Sequence, residues 1–147
     1  MTETPSSPTD TSTPARTPTV FHSLSYQDAP AAVEFLARAF GFVARGVYAD
    51  PDDPAHIMHA QMDWPPGGGI MFGSAGRHNE SWVDSAGHAQ CYCVTETDAD
   101  VDRVYEQAMA AGATSVRPPE DQGYGGRGCT LRDPEGNQWS FGSYRGA

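Results

Sequence analysis

Beyond residue 18 the apolar positions fall into a strand-then-helix pattern that occurs twice. The first copy is an apolar strand over 20–26, then Asp28 and a helix running to Phe40 and stopped by Gly41. The second is an apolar strand over 89–95, then Asp98 or Asp100 and a helix running to Ala111 and stopped by Gly112. An Asp before a helix accepts a hydrogen bond from an otherwise unpaired N–H, and Pro30 sits in a first turn where its missing donor costs nothing. A glycine just past the end takes the left-handed cap. Ala32, Phe35, Leu36, Ala39 and Phe40 form one stripe of the first helix; Val101, Val104, Tyr105 and Ala108 form one of the second. Each helix therefore has a single face to bury on a sheet. Candidate strands follow at 43–48, 57–64 and 69–72 in the first half, and at 114–117, 128–132 and 138–144 in the second. Both halves read β-α-β-β-β, an internal duplication.

The last two strands are joined by Asp133-Pro134-Glu135-Gly136. Pro134 presets the turn's φ, Asp133 can accept hydrogen bonds from the backbone ahead of it, and Gly136 supplies the positive φ on the way out. In the strand that follows, Trp139 and Phe141 alternate with Gln138, Ser140 and Gly142, giving one aromatic and one polar face. An aromatic face toward a helix and a polar face toward a cavity suit a small-molecule cup.

Three stretches carry a resemblance. They are 28–35, the run 64–73 through Trp64-Pro65-Pro66-Gly67-Gly68-Gly69, and the closing hairpin. Together they resemble the vicinal oxygen chelate superfamily of glyoxalases, bleomycin resistance proteins and extradiol dioxygenases, in a glyoxalase-like branch. The resemblance implies an α+β fold of two tandem βαβββ modules, a curled mixed sheet around a cup with the helices outside. It implies one domain over 19–147, with module one at 19–85 and module two at 86–147. Enzymes of the family hold a divalent metal in the cup through His or Glu. Carried onto this chain, the ligand positions fall at Phe21, Met71 and Ser140, with a further one near Gln90, Cys91 or Cys93. Phe21, Met71 and Ser140 are not ligands of the expected kind, so no metal cofactor is expected. A non-standard site built from His22, His59 or His88 is the alternative.

Composition narrows the setting. Residues 1–18 are mostly Thr, Pro and Ser without an apolar run, and are expected to be a disordered tail. A net charge of −10 with nine scattered Lys and Arg argues against nucleic acid, which is gripped through its phosphates. No run approaches a membrane span and no basic start precedes an apolar stretch, so a cytoplasmic protein without a membrane partner is expected. Three cysteines do not make a disulfide framework. Cys91 and Cys93 point to the same side of a strand, but a Cys-x-Cys alone is a weak metal signal because zinc usually gathers four ligands. A homodimer is expected from the resemblance and from Trp82 in the link between modules.

Other chemistry is thin. The glycines at 67–69 are not followed by Lys-Ser or Lys-Thr and a helix, so they are not a phosphate loop. No Gly-x-Ser-x-Gly elbow occurs. His56 and His78 are expected to be solvated, His59 to face the cup or pair across its sheet, and His88 to open the fifth strand. Arg127 lies between Gly126 and Gly128, beside Tyr124, where a guanidinium could clasp a carboxylate or phosphate. The expected ligand-binding set is Phe21, Ser23, His59, Met71, Tyr124, Arg127, Gln138 and Ser140. The expected function is sequestration of a small organic molecule, as in the bleomycin resistance branch. The alternative is a metal-dependent glyoxalase-like lyase, isomerase or dioxygenase with non-standard ligands.

Overall fold

The computed structural model describes residues 17–76 and 80–147, without the side chain of Trp82. The expectations for residues 1–16, for His78 and for the Trp82 side chain lie outside the described residues. Eight strands form two four-stranded sheets. β1 (His22–Tyr26), β2 (Val43–Asp50), β3 (Asp53–Asp63) and β4 (Gly69–Ser74) are ordered β1-β4-β3-β2. β5 (Gln90–Val94), β6 (Thr114–Asp121), β7 (Arg127–Arg132) and β8 (Gln138–Gly142) are ordered β5-β8-β7-β6. In each sheet the first and last strands pair in parallel, and every other neighbouring pair is antiparallel. The duplication read from the sequence is thus two copies of one βαβββ topology.

The helix α1 (Ala29–Phe35) starts on Asp28, whose Oδ1 accepts from Ala31 N at 3.2 Å. It continues into a π-helical turn, Leu36–Phe40, before Gly41 ends it at φ 88°. Such a turn releases carbonyls from the regular ladder. Gln107 of the second helix supplies a donor, its Nε2 reaching Arg38 O at 2.8 Å and Ala39 O at 3.3 Å. The helix α2 (Asp98–Ala111) differs from expectation at its start. Its cap is Thr97, neither Asp98 nor Asp100. Thr97 Oγ1 accepts from Asp100 N, and Asp100 Oδ2 accepts from Thr97 N, both at 3.1 Å. The reciprocal pair satisfies two orphan donors where a single Asp would satisfy one.

Two strands are longer than their hydrophobic signal. β3 begins at Asp53 rather than 57, and His56, expected in solvent, is 7% exposed. The polar residues 53–56 carry no strand pattern, but pairing with β2 extends through Asp50 opposite Asp53. β6 runs past 117 through Pro118 and Pro119 to Asp121, with a register shift between Arg117 and Glu120. β6 is the edge strand, where a missing N–H breaks no ladder on the open side. His88 was expected to open the fifth strand, but β5 starts at Gln90; His88 is exposed, its N–H bonded back to Ser85 O at 3.1 Å.

One core joins the two halves. Phe40 stacks obliquely on Trp139 and Phe141, with ring centroids 5.4 and 4.8 Å away. Phe42 meets Trp139 at 5.5 Å and Trp64 meets Phe141 at 5.6 Å. Trp64 Nε1 also donates to Val94 O at 2.8 Å, so its polar edge is satisfied inside the same junction.

Candidate functional site: two outward sheet faces

Strand alternation assigns the outward face of each sheet. In the first sheet Leu24, Ile70, Phe72, Ala60 and Met62 are buried in the core. Their neighbours Ser23, Met71 and Gln61 lie side by side across β1, β4 and β3 on the opposite face. Ser23 is exposed and Met71 half-buried. Phe21 is half-buried just before β1. His59, exposed on β3, stacks on Tyr48 of β2 with centroids 6.2 Å apart and planes 23° apart. It pairs across the sheet, one of the two roles open to it from the sequence.

In the second sheet Trp139, Phe141, Leu131 and Cys129 are fully buried. Tyr92, Ser140 and Thr130 form the matching outward row across β5, β8 and β7. The Ser140 and Thr130 hydroxyl oxygens are 2.8 Å apart. Gln138 lies between Gln90 and Arg132 in the next row. The Tyr92 ring lies across Gly142, where any Cβ would collide with its phenolic oxygen. Its hydroxyl donates to Tyr144 O at 2.7 Å. Burial, and after it the neighbouring Tyr124, push the Tyr92 hydroxyl above its ordinary range. Tyr124 is exposed before β7 and meets Tyr144 edge-on at 4.9 Å. Tyr92, Tyr124, Tyr144, Val94 and Arg145 line an open cavity of about 450 Å³. Tyr92 was absent from the sequence-predicted set although the signal was available. If Cys91 and Cys93 turn inward, the residue between them must turn outward.

Arg127 opens β7 with its guanidinium on two carboxylates. Nε and Nη2 donate to Asp102 of α2, each at 2.9 Å, and Nη1 donates to Asp121 at 3.2 Å. The Arg127 bonds hold the Asp102 carboxyl below the usual carboxylate range.

The predicted set is therefore divided. Phe21, Ser23, His59 and Met71 belong to the first sheet or its lead-in, and Tyr124, Arg127, Gln138 and Ser140 to the second or its lead-in. The junction built by Phe40, Phe42, Trp64, Trp139 and Phe141 lies on the inner side of both sheets. Ser23 meets Met71 in register, and Tyr124 shares a cavity with Tyr92.

A sequence profile of the Glyoxalase/Bleomycin resistance protein/Dioxygenase superfamily matches residues 19–141. The chain belongs to that superfamily. It is 31% identical over 130 residues to Uncharacterized protein Mb0911c of Mycobacterium bovis, covering 85% of this chain and 82% of that one. Among solved structures it is similar to TioX from Micromonospora sp. ML1, at 32% identity and a TM-score of 0.64, over 84% of this chain and 97% of that one. A family enzyme from Burkholderia phytofirmans PsJN shares the fold at 20% identity and a TM-score of 0.63, over 83% of this chain and 94% of that one.

Within the superfamily fold, three of the positions that resemblance assigns to metal ligands carry a phenyl ring at Phe21, a thioether at Met71 and a hydroxyl at Ser140. This donor set does not fit a divalent metal, which takes imidazole nitrogen and carboxylate oxygen there. The histidines of the alternative site are dispersed. His22 turns inward toward Trp139, with ring centroids 6.5 Å apart; His59 is on Tyr48; His88 is in the link before β5. Among the described residues no three His, Cys, Asp or Glu side chains are gathered closely enough to hold a metal ion together. No described helix is long and apolar enough to cross a membrane.

Proposed function

We propose that this protein binds a small organic molecule without a divalent metal, in a cup formed when two copies of the chain pair. The first outward face, with Phe21, Ser23, His59 and Met71, supplies one wall, and the second face, with Tyr92, Tyr124, Gln138 and Ser140, supplies the other. The observation that carries this reading is the composition of those faces. Each mixes apolar or aromatic area with a few hydroxyl and amide groups, the make-up of a small-molecule pocket. A planar, partly aromatic ligand suits the Tyr92, Tyr124 and Tyr144 wall, with the Ser140 and Thr130 hydroxyls and the Gln138 amide fixing its orientation. Arg127 is engaged by Asp102 and Asp121, so an anionic group reaching it must compete with two carboxylates.

The two walls point away from the core that joins the modules, and this favours closure by a second copy. A symmetric pairing that sets module one of each chain against module two of the other makes two identical cups. Metal analysis of tag-free protein, purified without chelator, tests the first part. Less than a tenth of an equivalent of zinc, nickel, iron or manganese is expected; about one equivalent, lost together with thermal stability on chelation, would sink the metal-free reading. A thermal-shift screen of small aromatic acids and amides tests the second part. Hits are expected to lose their effect in Met71→Trp and Ser140→Trp, and hits indifferent to both place the ligand elsewhere.

A further inference from the structure

Cys91 and Cys93 turn inward from β5, and their sulfurs are 3.9 Å apart. Both are free thiols, and both line an open cavity of about 250 Å³ between the edge of the first sheet and β5. Phe42, Trp64 and Ile70 form its apolar wall, while His22, Tyr92 and Arg145 also border it. His22 Nε2 is buried there and has no hydrogen-bond partner among the described residues. Burial lowers the His22 imidazole below its ordinary range.

Strand geometry permits one kind of cross-link between these thiols and forbids another. Residues two apart on a strand are separated by roughly 6.6 Å, with side chains parallel. A disulfide wants its Cβ atoms about 3.5–4.5 Å apart, so this pair cannot close one without breaking β5. The sulfurs have leaned together to 3.9 Å, a gap that a single bridging atom can span. We propose that Cys91 and Cys93 form a two-sulfur chelate for a soft monovalent metal ion of the cuprous kind. Soft thiolates select Cu(I), whereas a structural zinc needs four donors, and among the described residues no third donor is close enough to complete a set.

The step balances without a redox partner. Each thiol releases its proton to solvent and two sulfur–copper bonds form. Copper stays monovalent, and the bis-thiolate complex carries one negative charge. Arg145 on the cavity wall offsets that charge.

The test is anaerobic titration of the full chain with the cuprous bicinchoninate complex, following loss of the chelator's colour. The wild type is expected to withdraw one equivalent of Cu(I), with two sulfur neighbours by X-ray absorption. Cys91→Ser, at a half-buried position, is expected to weaken uptake by more than the roughly 10–100-fold that loss of an outer-shell partner costs a metal site, as is Cys93→Ser. Near-UV circular dichroism checks that each variant is folded, and Cys93→Ala replaces Cys93→Ser if the hydroxyl is not tolerated. Cys129 is fully buried on β7, two strands away, and Cys129→Ala is expected to leave uptake unchanged. Failure of the folded wild type to take Cu(I), equal uptake by Cys91→Ser, or zinc bound as tightly as Cu(I) would overturn the assignment.

Discussion

Tyr26 donates its phenolic hydrogen to Asp133 Oδ2 at 2.6 Å, joining residues 107 positions apart. Tyr26 ends β1 and Asp133 opens the last hairpin turn, so the bond ties the first strand of one module to the closing turn of the other. The same Oδ2 accepts from Trp139 Nε1 at 3.0 Å and Asn137 Nδ2 at 3.1 Å. Oδ1 takes the backbone N–H groups of Glu135 and Asn137. Next to it, Glu135 accepts the N–H groups of Gln27 and Asp28 at the entrance to α1. The turn thus seats one module on the other, beyond its role in reversing the chain.

Tyr26→Phe is expected to lower stability by about 1.5–3 kcal/mol, the worth of a buried hydrogen bond to a charged group. Asp133→Asn should cost more, because an amide presents donors to the Tyr26, Trp139 and Asn137 donors. Urea unfolding of both variants checks the order. Equal or negligible losses would show that the modules are seated by the aromatic junction alone.

Burial, and then the Asp133 charge, raise the Tyr26 hydroxyl above the ordinary tyrosine value of 10.0. The sign follows from linkage. Above about pH 10 the unfolded chain releases a proton that the folded chain keeps, so stability present below that pH is lost as pH rises. Cys129, pushed by burial from 9.0 to about 11, adds a loss of the same sign over that interval. Tyr26→Phe is therefore expected to flatten the decline above pH 10 while leaving the Cys129 part. Parallel declines in wild type and variant, read by urea unfolding between pH 9 and 11, would exclude the Tyr26 contribution.

Thr97→Ala removes the hydroxyl that caps α2 and should cost roughly 0.5–2 kcal/mol. Asp98→Ala is expected to cost less, since the bond Asp98 accepts, from Ser143, is exposed. Thermal melts of the two variants decide between Thr97 and Asp98 as the cap.

The repeat, the glycine stops and the inward aromatic face of β8 were legible because each is local. Gly41 at φ 88° and Gly112 at φ 110° need only their own backbone, and Trp139 and Phe141 need only alternation. The start of β3 was not legible, because residues 53–56 are ordered by pairing with β2 rather than by any apolar pattern of their own. Thr97 was passed over because three aspartates follow within five residues, and only the reciprocal bond with Asp100 distinguishes the true cap. The candidate site was half legible. Strand parity gave Ser23, Met71 and Ser140 their faces, but Arg127 depended on Asp102, a residue 25 positions away on another element.

Asp102 gives a signature at the acid end. The hydrogen bonds from Arg127 lower its carboxyl, and both residues are half-buried. A depressed folded value contributes stability above the unfolded value of 3.8, and this is lost as pH falls through the folded one. Carboxyl titration by NMR should show Asp102 below the ordinary value of 3.8, and Arg127→Ala should raise it toward that value. Coincident titration in both proteins would reduce the pair to a transient surface contact.

The proposed pairing of two copies into shared cups makes a complementation prediction. Met71→Trp fills the first wall and Ser140→Trp fills the second, so homodimers of either variant have both cups blocked. In a mixed dimer one cup receives both tryptophans and the other receives neither. Random reassortment makes half the dimers mixed, each with one open cup of two, so about a quarter of the wild-type sites should return. The probe is 8-anilinonaphthalene-1-sulfonate, whose aromatic body and anionic group suit a tyrosine wall with hydroxyl donors. Each variant alone should lose its fluorescence, and the mixture, unfolded and refolded together, should recover about a quarter. Light scattering at tens of micromolar should return the dimer mass throughout. A cup built within one chain gives no recovery, because every chain in the mixture then carries one blocked wall.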